Sequence, residues 1–200
     1  LSLMFAESYF IFLALIFICS AQQNRPVIFV HGFGGTRLEM KLNMSEPSRF
    51  YCPTTKDWFL TWLTVEYDIL MQVCFFETIT MVYDNVTNSM IDKPGVFTRI
   101  SGDYGSIESI EYLNPTFQSL TSYFHPLINL LETEFNYKNM VDMFSLSYDF
   151  RDIADPRKSE EYFEMAQIFI ENLRNKTGMP VIIVSHSLGG VLMAHFFNRL

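Results

Sequence analysis

Residues 181–190 read VIIVSHSLGG: Val181-Ile182-Ile183-Val184, then Ser185-His186-Ser187-Leu188-Gly189-Gly190. Four apolar, β-branched residues that stop at a polar one predict a buried strand with the look of a central parallel strand, and a helical stretch follows to Leu200. A serine between such a strand and such a helix has the pattern of a nucleophile elbow. A serine hydroxyl is a poor nucleophile near neutral pH. A sharp strand-to-helix turn helps by lifting its oxygen above the sheet, where a histidine can take the proton. The turn brings strand and helix so close that only small residues fit two places either side of the serine. Gly189 meets that demand, and Ser185 replaces the usual first glycine while staying small. Ser187 is the candidate nucleophile; the competing reading is a tight turn capped by a serine without chemistry.

Working back from this stretch, Asp155 can cap a helix that Pro156 opens and Gly178 stops, with Phe163, Ala166, Ile170 and Leu173 on one apolar face. A strand is expected at about residues 141–146. Strand, helix, strand implies a βαβ crossover, hence an α/β chain with a mostly parallel sheet and helices on both faces. Before it, the 3.6-residue spacing of Leu120, Tyr123, Phe124, Leu127, Leu130 and Leu131 predicts one helix over residues 119–134. Residues 78–114 carry short β-prone pieces (ITMVYD, VFTRI) broken by turn-rich segments, as in excursions over a surface. Residues 50–76, aromatic and bracketed by Cys52 and Cys74, read as a lid or cap insertion with a short helix from Asp57. Val27-Ile28-Phe29-Val30 reads as a buried strand that stops at His31-Gly32.

The composition narrows the class. A formal charge of −8 leaves no basic patch for phosphates, which argues against nucleic acid as a partner. Tyr9 to Ile18 is an apolar run too short to span a bilayer, and Cys19-Ser20-Ala21 supplies the small residues of a cleavage site. Residues 1–21 are expected to be a signal peptide, cleaved before Gln22, with residues 22–200 as the N-terminal part of the hydrolase-like domain. The atypical leader, which lacks Lys and Arg, keeps an uncleaved anchor open. Secretion leaves Cys52 and Cys74 as an even pair in an oxidising compartment, so they are expected to be bonded; two free buried thiols are the alternative. The sequons at Asn43, Asn85 and Asn175 are compatible with glycosylation there.

A second motif bears on the serine. His31-Gly32-Phe33-Gly34-Gly35 follows the first strand, where an α/β-hydrolase fold places the loop whose N–H groups bind the oxyanion of a tetrahedral intermediate. The N–H groups of Phe33 and Leu188 are the expected donors. A glycine turn without chemistry is the alternative.

Residues 31–42 (HGFGGTRLEMKL) resemble the oxyanion segment of the lecithin:cholesterol acyltransferase and lysosomal phospholipase A2 family, which there reads PG-x-LGN-x-LEAKL. The resemblance continues in order through Cys52, Trp58-Phe59, Trp62-Leu63 and Cys74. It then takes in Val82-Tyr83, Ser109 to Pro115, Tyr123-Phe124-His125 and Tyr148-Asp149-Phe150-Arg151. It departs at His31 for proline, at Phe33, and at Phe150 for tryptophan. It implies an acyl chain taken from a phospholipid onto the serine and passed to water or to a lipid alcohol such as a sterol or ceramide. It implies work at a membrane or lipoprotein surface, in an extracellular or lysosomal setting, with no cofactor and no metal. Trp58, Phe59, Trp62 and Leu63 would contact lipid in a disulfide-closed lid loop, or merely pack the cap.

In this fold the triad runs Ser, then Asp or Glu, then His. After Ser187 there is no acid and one histidine, His195, which reads as a packing residue on the elbow's helix. His186 should point aside, His125 reads as packing, and Asp149 reads as a partner for Arg151. The chain is therefore expected to be incomplete at the C-terminus, with its acid and histidine beyond Leu200. The rival readings are a general lipase or carboxylesterase, and a non-catalytic lipid-binding pseudoenzyme or inactive fragment.

Overall fold

The structure, a computed structural model, describes residues 24–47 and 49–199. The expected signal peptide lies outside them. Three strands form a parallel sheet in the order β7 (Met143–Ser145), β1 (Val27–Val30), β8 (Ile182–Ser185). Side chains alternate across β1, as the two-residue period of a strand requires. Ile28 and Val30 pack with Phe144 and Leu146 against Phe163, Ala166 and Leu173 of one helix and Leu192, Met193 and Phe196 of another. Val27 and Phe29 join Met143 on the other face, against Ile107, Ile110, Phe124 and Ile128. Each face thus has its own apolar layer, and this sandwich fixes the ends of β1 and β8 side by side.

The sheet differs from expectation in two respects. Among the described residues β8 is an edge strand, with Ile182 40% exposed, where the VIIV run had suggested a central one. An apolar run records how much burial a strand can use, not which neighbours it has. The other five strands pair antiparallel: β2 (Leu38–Asn43) lies between β3 (Thr55–Trp62) and β6 (Val96–Ile100), and β4 (Val82–Asp84) pairs with β5 (Ser89–Ile91). The chain is a mixed α/β structure in which a small parallel sheet carries the motif loops.

Two helix expectations are corrected. From Asp57 the chain is strand β3, not helix, because β2 offers it an antiparallel ladder, with two register shifts, from Leu38↔Trp62 to Asn43↔Thr55. The helix comes later, as a π-helical turn at Glu66–Leu70 and then α1 (Gln72–Ile79). The Cys52–Cys74 disulfide closes this segment. Over 119–134 the single helix is instead α3 (Gln118–Thr121) and α4 (His125–Phe135), following the short α2 (Glu108–Glu111). Pro126 lacks the N–H that a continuous helix would need, so a break before it costs little. The break returns Tyr123 and Phe124 to α2, their N–H groups donating to the Glu111 and Ile110 carbonyls at 2.9 and 3.2 Å.

The long helix α5 (Pro156–Thr177) follows its sequence signals. Asp155 accepts from the Arg157 N–H at 2.9 Å, and Gly178 ends the helix in the left-handed conformation. The same carboxylate accepts from Ser89 and from the Met90 N–H, which fastens the β4–β5 hairpin. Arg151, nearly buried, pairs with Asp149 at 2.6 Å as expected and also reaches Asp92 at 2.8 Å. No described helix is long and apolar enough to cross a membrane.

Candidate active site

Strand β8 pairs with β1 up to Val30↔Ser185, and the His186 N–H then donates to the Val30 carbonyl at 3.0 Å. The next residue turns sharply. Ser187 has φ 53° and ψ −123°, a region that a residue with a side chain enters at a cost of about 1–3 kcal/mol and only when its surroundings hold it there. The holding groups are the first bonds of α6 (Leu188–Phe197): Gly189 N–H to His186 O and Gly190 N–H to Ser187 O, each 2.9 Å. Gly189 lets α6 start hard against β1, since a Cβ there would sit 2.4 Å from the His31 carbonyl oxygen and 2.5 Å from that of Val30. Ser187 is exposed as a result.

The loop after β1 lies directly against this turn. A Cβ on Gly32 would be 2.8 Å from the Cβ of Ser187, so only glycine allows the approach. The loop closes through the Gly35 N–H to the Gly32 carbonyl at 3.0 Å, with φ 68° at Gly34 as a type II turn requires of its third residue. Phe33 stands at the tip, 71% exposed, its ring edge on Phe150 at 5.2 Å. No acceptor among the described residues engages the N–H of Phe33 or of Leu188. The two motifs separated by about 150 residues of chain therefore form one surface: an exposed hydroxyl beside a turn with a free amide on each side.

None of the four histidines hydrogen-bonds to the Ser187 hydroxyl. His31 is fully buried and stacks on Tyr148 with centroids 4.0 Å apart. The Tyr148 N–H donates to its Nε2 at 3.1 Å, which needs a lone pair there, so the proton sits on Nδ1 and is donated to the Gly32 carbonyl at 2.8 Å. Burial holds this ring neutral, with its pKa pushed down to about 4. His125 pairs with Glu111 at 2.9 Å, and His195 lies along α6 near the Phe163 ring. His186 turns aside, its Nδ1 2.7 Å from the Tyr123 hydroxyl.

The lid residues have separate places. Trp58 is over a third exposed, with the Arg99 guanidinium over its ring at 4.1 Å. Phe59 packs edge-on to Tyr67 beside the disulfide. Leu63 lines an apolar groove of about 290 Å³ with Val65, Ile69, Phe117 and Leu120. Trp62 turns inward, and its indole N–H donates to the Gly34 carbonyl at 2.8 Å. Sequence reasoning did not assign Trp62 or Tyr123 to this loop, since neither spacing nor residue type marks an indole or a phenol that meets a backbone 28 or 91 positions away. Asn43 ends β2, Asn85 lies in the turn after β4, and Asn175 is in the last turn of α5, all three exposed.

Comparison with known proteins bears on what such a site does. Residues 58–200 match the family described as lecithin:cholesterol acyltransferase. The chain is 31% identical to the rat lysosomal phospholipase A and acyltransferase, over 90% of this chain and 43% of that protein. It is 31% identical to lecithin-cholesterol acyltransferase-like 1 of Arabidopsis thaliana, over 87% of this chain and 44% of the relative. It is also 32% identical to rat phosphatidylcholine-sterol acyltransferase, over 90% and 40% respectively. The chain spans less than half the length of these curated relatives.

Proposed function

This chain belongs to the lecithin:cholesterol acyltransferase family, and from that premise we propose that Ser187 is the nucleophile of a lipid acyltransferase or phospholipase built on an α/β-hydrolase fold. The observation that carries the proposal is the backbone of Ser187: a strained, exposed turn pressed against Gly32 has no evident structural use, whereas it suits an attacking hydroxyl. In the first step the Ser187 oxygen bonds to the carbonyl carbon of a glycerophospholipid ester. The amides of Phe33 and Leu188 hold the oxyanion, and the ester C–O bond then breaks. The hydroxyl proton passes through a base to the departing lysophospholipid oxygen. In the second step water or a lipid alcohol, such as a sterol or ceramide, attacks the acyl-serine and restores the hydroxyl.

The four histidines described have other partners or lie away from Ser187, so this reading assigns the base to a histidine outside these residues. Trp58, Phe59 and Leu63, all within the disulfide-closed segment and Leu63 on the apolar groove, are proposed to meet the membrane or lipoprotein surface that presents the donor. The disulfide and the three exposed sequons suit an extracellular or lysosomal enzyme.

Ser187→Ala in the full-length protein tests the chemistry, with acyl release from phosphatidylcholine vesicles as the readout. Turnover should fall to background. Release at the wild-type rate would refute the acyl-serine. Transfer to a sterol or ceramide identifies an acyltransferase, free fatty acid alone a hydrolase, and a preference for triacylglycerol a general lipase.

A further inference from the structure

The loop after β1 and the elbow after β8 are tied together by strand hydrogen bonds only as far as Val30 and His186. Beyond that point the chains part, yet the amides of Phe33 and Leu188 must stay in register with one oxygen. Among the described residues a single side chain hydrogen-bonds to both loops. The Gly32 N–H donates to the Tyr123 hydroxyl oxygen at 2.9 Å, and that hydroxyl meets His186 Nδ1 at 2.7 Å. Burial raises the phenol pKa, so the group keeps its proton and has one to donate, and Nδ1 is the acceptor within reach.

The ring also bears on the loop sterically. A Cβ on Gly35 would meet the Tyr123 ring and hydroxyl at 2.7 to 2.9 Å, so the turn lies close against this side chain. Tyr123 is itself held from behind, because its N–H donates to the Glu111 carbonyl at the break between α3 and α4. At Gly34 of the same turn, the Trp62 indole N–H holds the carbonyl. The turn is held by two side chains, but among the described residues only Tyr123 extends to the elbow.

We infer that Tyr123 is a positioning residue, whose hydroxyl sets the spacing between the Gly32–Gly35 turn and the His186–Ser187 elbow and so keeps the two amides aligned on the reacting oxygen. It makes no hydrogen bond to Ser187 and does not take part in bond making. The inference rests on the acyl-serine reading above and deepens it. A displacement of the order of 1 Å at a reacting centre costs about 10²-fold in rate, so the loss of this brace should appear in kcat rather than in substrate binding.

The experiment uses the full-length protein with phosphatidylcholine vesicles and compares Tyr123→Phe, His186→Ala, the double variant and Ser187→Ala. Tyr123→Phe should lower kcat by between about tenfold and about 10²-fold with KM within about twofold. His186→Ala removes the same link from the exposed side and should act alike, and the double variant should be no worse than either single one. If Tyr123→Phe fails to fold, the His186→Ala result decides. His186→Asn, whose side-chain oxygen can accept from the phenol, should recover most of the lost kcat. An unchanged kcat, a rise in KM alone, or additive losses in the double variant would overturn the inference. With Ser187→Ala inactive, those results sink the brace and spare the acyl-serine. With Ser187→Ala active, both fall.

Discussion

Replacing Gly189 by alanine places a Cβ 2.4 Å from the His31 carbonyl oxygen and 2.5 Å from that of Val30. Both atoms are backbone at the end of the central strand β1, so neither can swing away as a side chain would. To reach even 3.0 Å, the closest approach that real Cβ atoms show, α6 and β1 must separate by about 0.6 Å. That shift carries Ser187 and the Leu188 amide away from the Gly32–Gly35 turn. Overpacking of this kind costs about 1–3 kcal/mol of stability, and a misplacement approaching 1 Å costs up to about 10²-fold in turnover. The assay is acyl release from phosphatidylcholine by the full-length Gly189→Ala variant, beside its urea unfolding midpoint. Turnover should drop by more than tenfold under conditions where the variant is still folded. A variant with wild-type turnover and midpoint would show that the helix does not rest on β1 here, and the geometric reasoning for the elbow would fail with it.

Two further outcomes follow from features away from the serine. The disulfide closes a loop with a sequence separation of 22, worth about 3 kcal/mol in the chain-entropy account; a Cys52→Ser, Cys74→Ser double variant should lose about that much in urea unfolding, and an unchanged midpoint would contradict it. His31 titrates at about 4 when folded against 6.5 in the unfolded chain, so between those values the unfolded state binds the extra proton. The stability it supports is complete above pH 6.5 and is lost as pH falls toward 4, at up to about 1.4 kcal/mol per pH unit. Unfolding midpoints followed from pH 7 to pH 4.5 should show this slope in the wild type and lose it in His31→Gln; the same slope in both would remove His31 as its source.

Much of the site is legible in the sequence. The strand at Val27–Val30, the capped helix from Pro156 to Gly178 and the strand-serine-helix turn rest on local rules: β-branched burial, an Asp-Pro start and a left-handed glycine stop. The pairing of Cys52 with Cys74 followed from counting. The failures share one cause. Residues 57–62 have helix-compatible types, but β2 supplied a ladder partner that no local window contains. The apolar spacing over 119–134 is real, yet Pro126 and the pull of α2 divide it, and Leu120 is left 84% exposed. Trp62, read as a lipid contact or as cap packing, does pack on Phe75 of the cap and in addition donates to the Gly34 carbonyl, a contact 28 positions away that no spacing announces.

By itself, then, the order of residues determined that a serine stands in a tight turn between an apolar strand and a helix, and that a glycine-rich loop follows an earlier strand, because close backbone approach excludes all but the smallest side chains at those places. Only the tertiary structure decided that the two loops touch and that Tyr123 joins them. Those contacts depend on parallel pairing between β1 and β8 across some 150 residues, a distance over which local propensity carries no information.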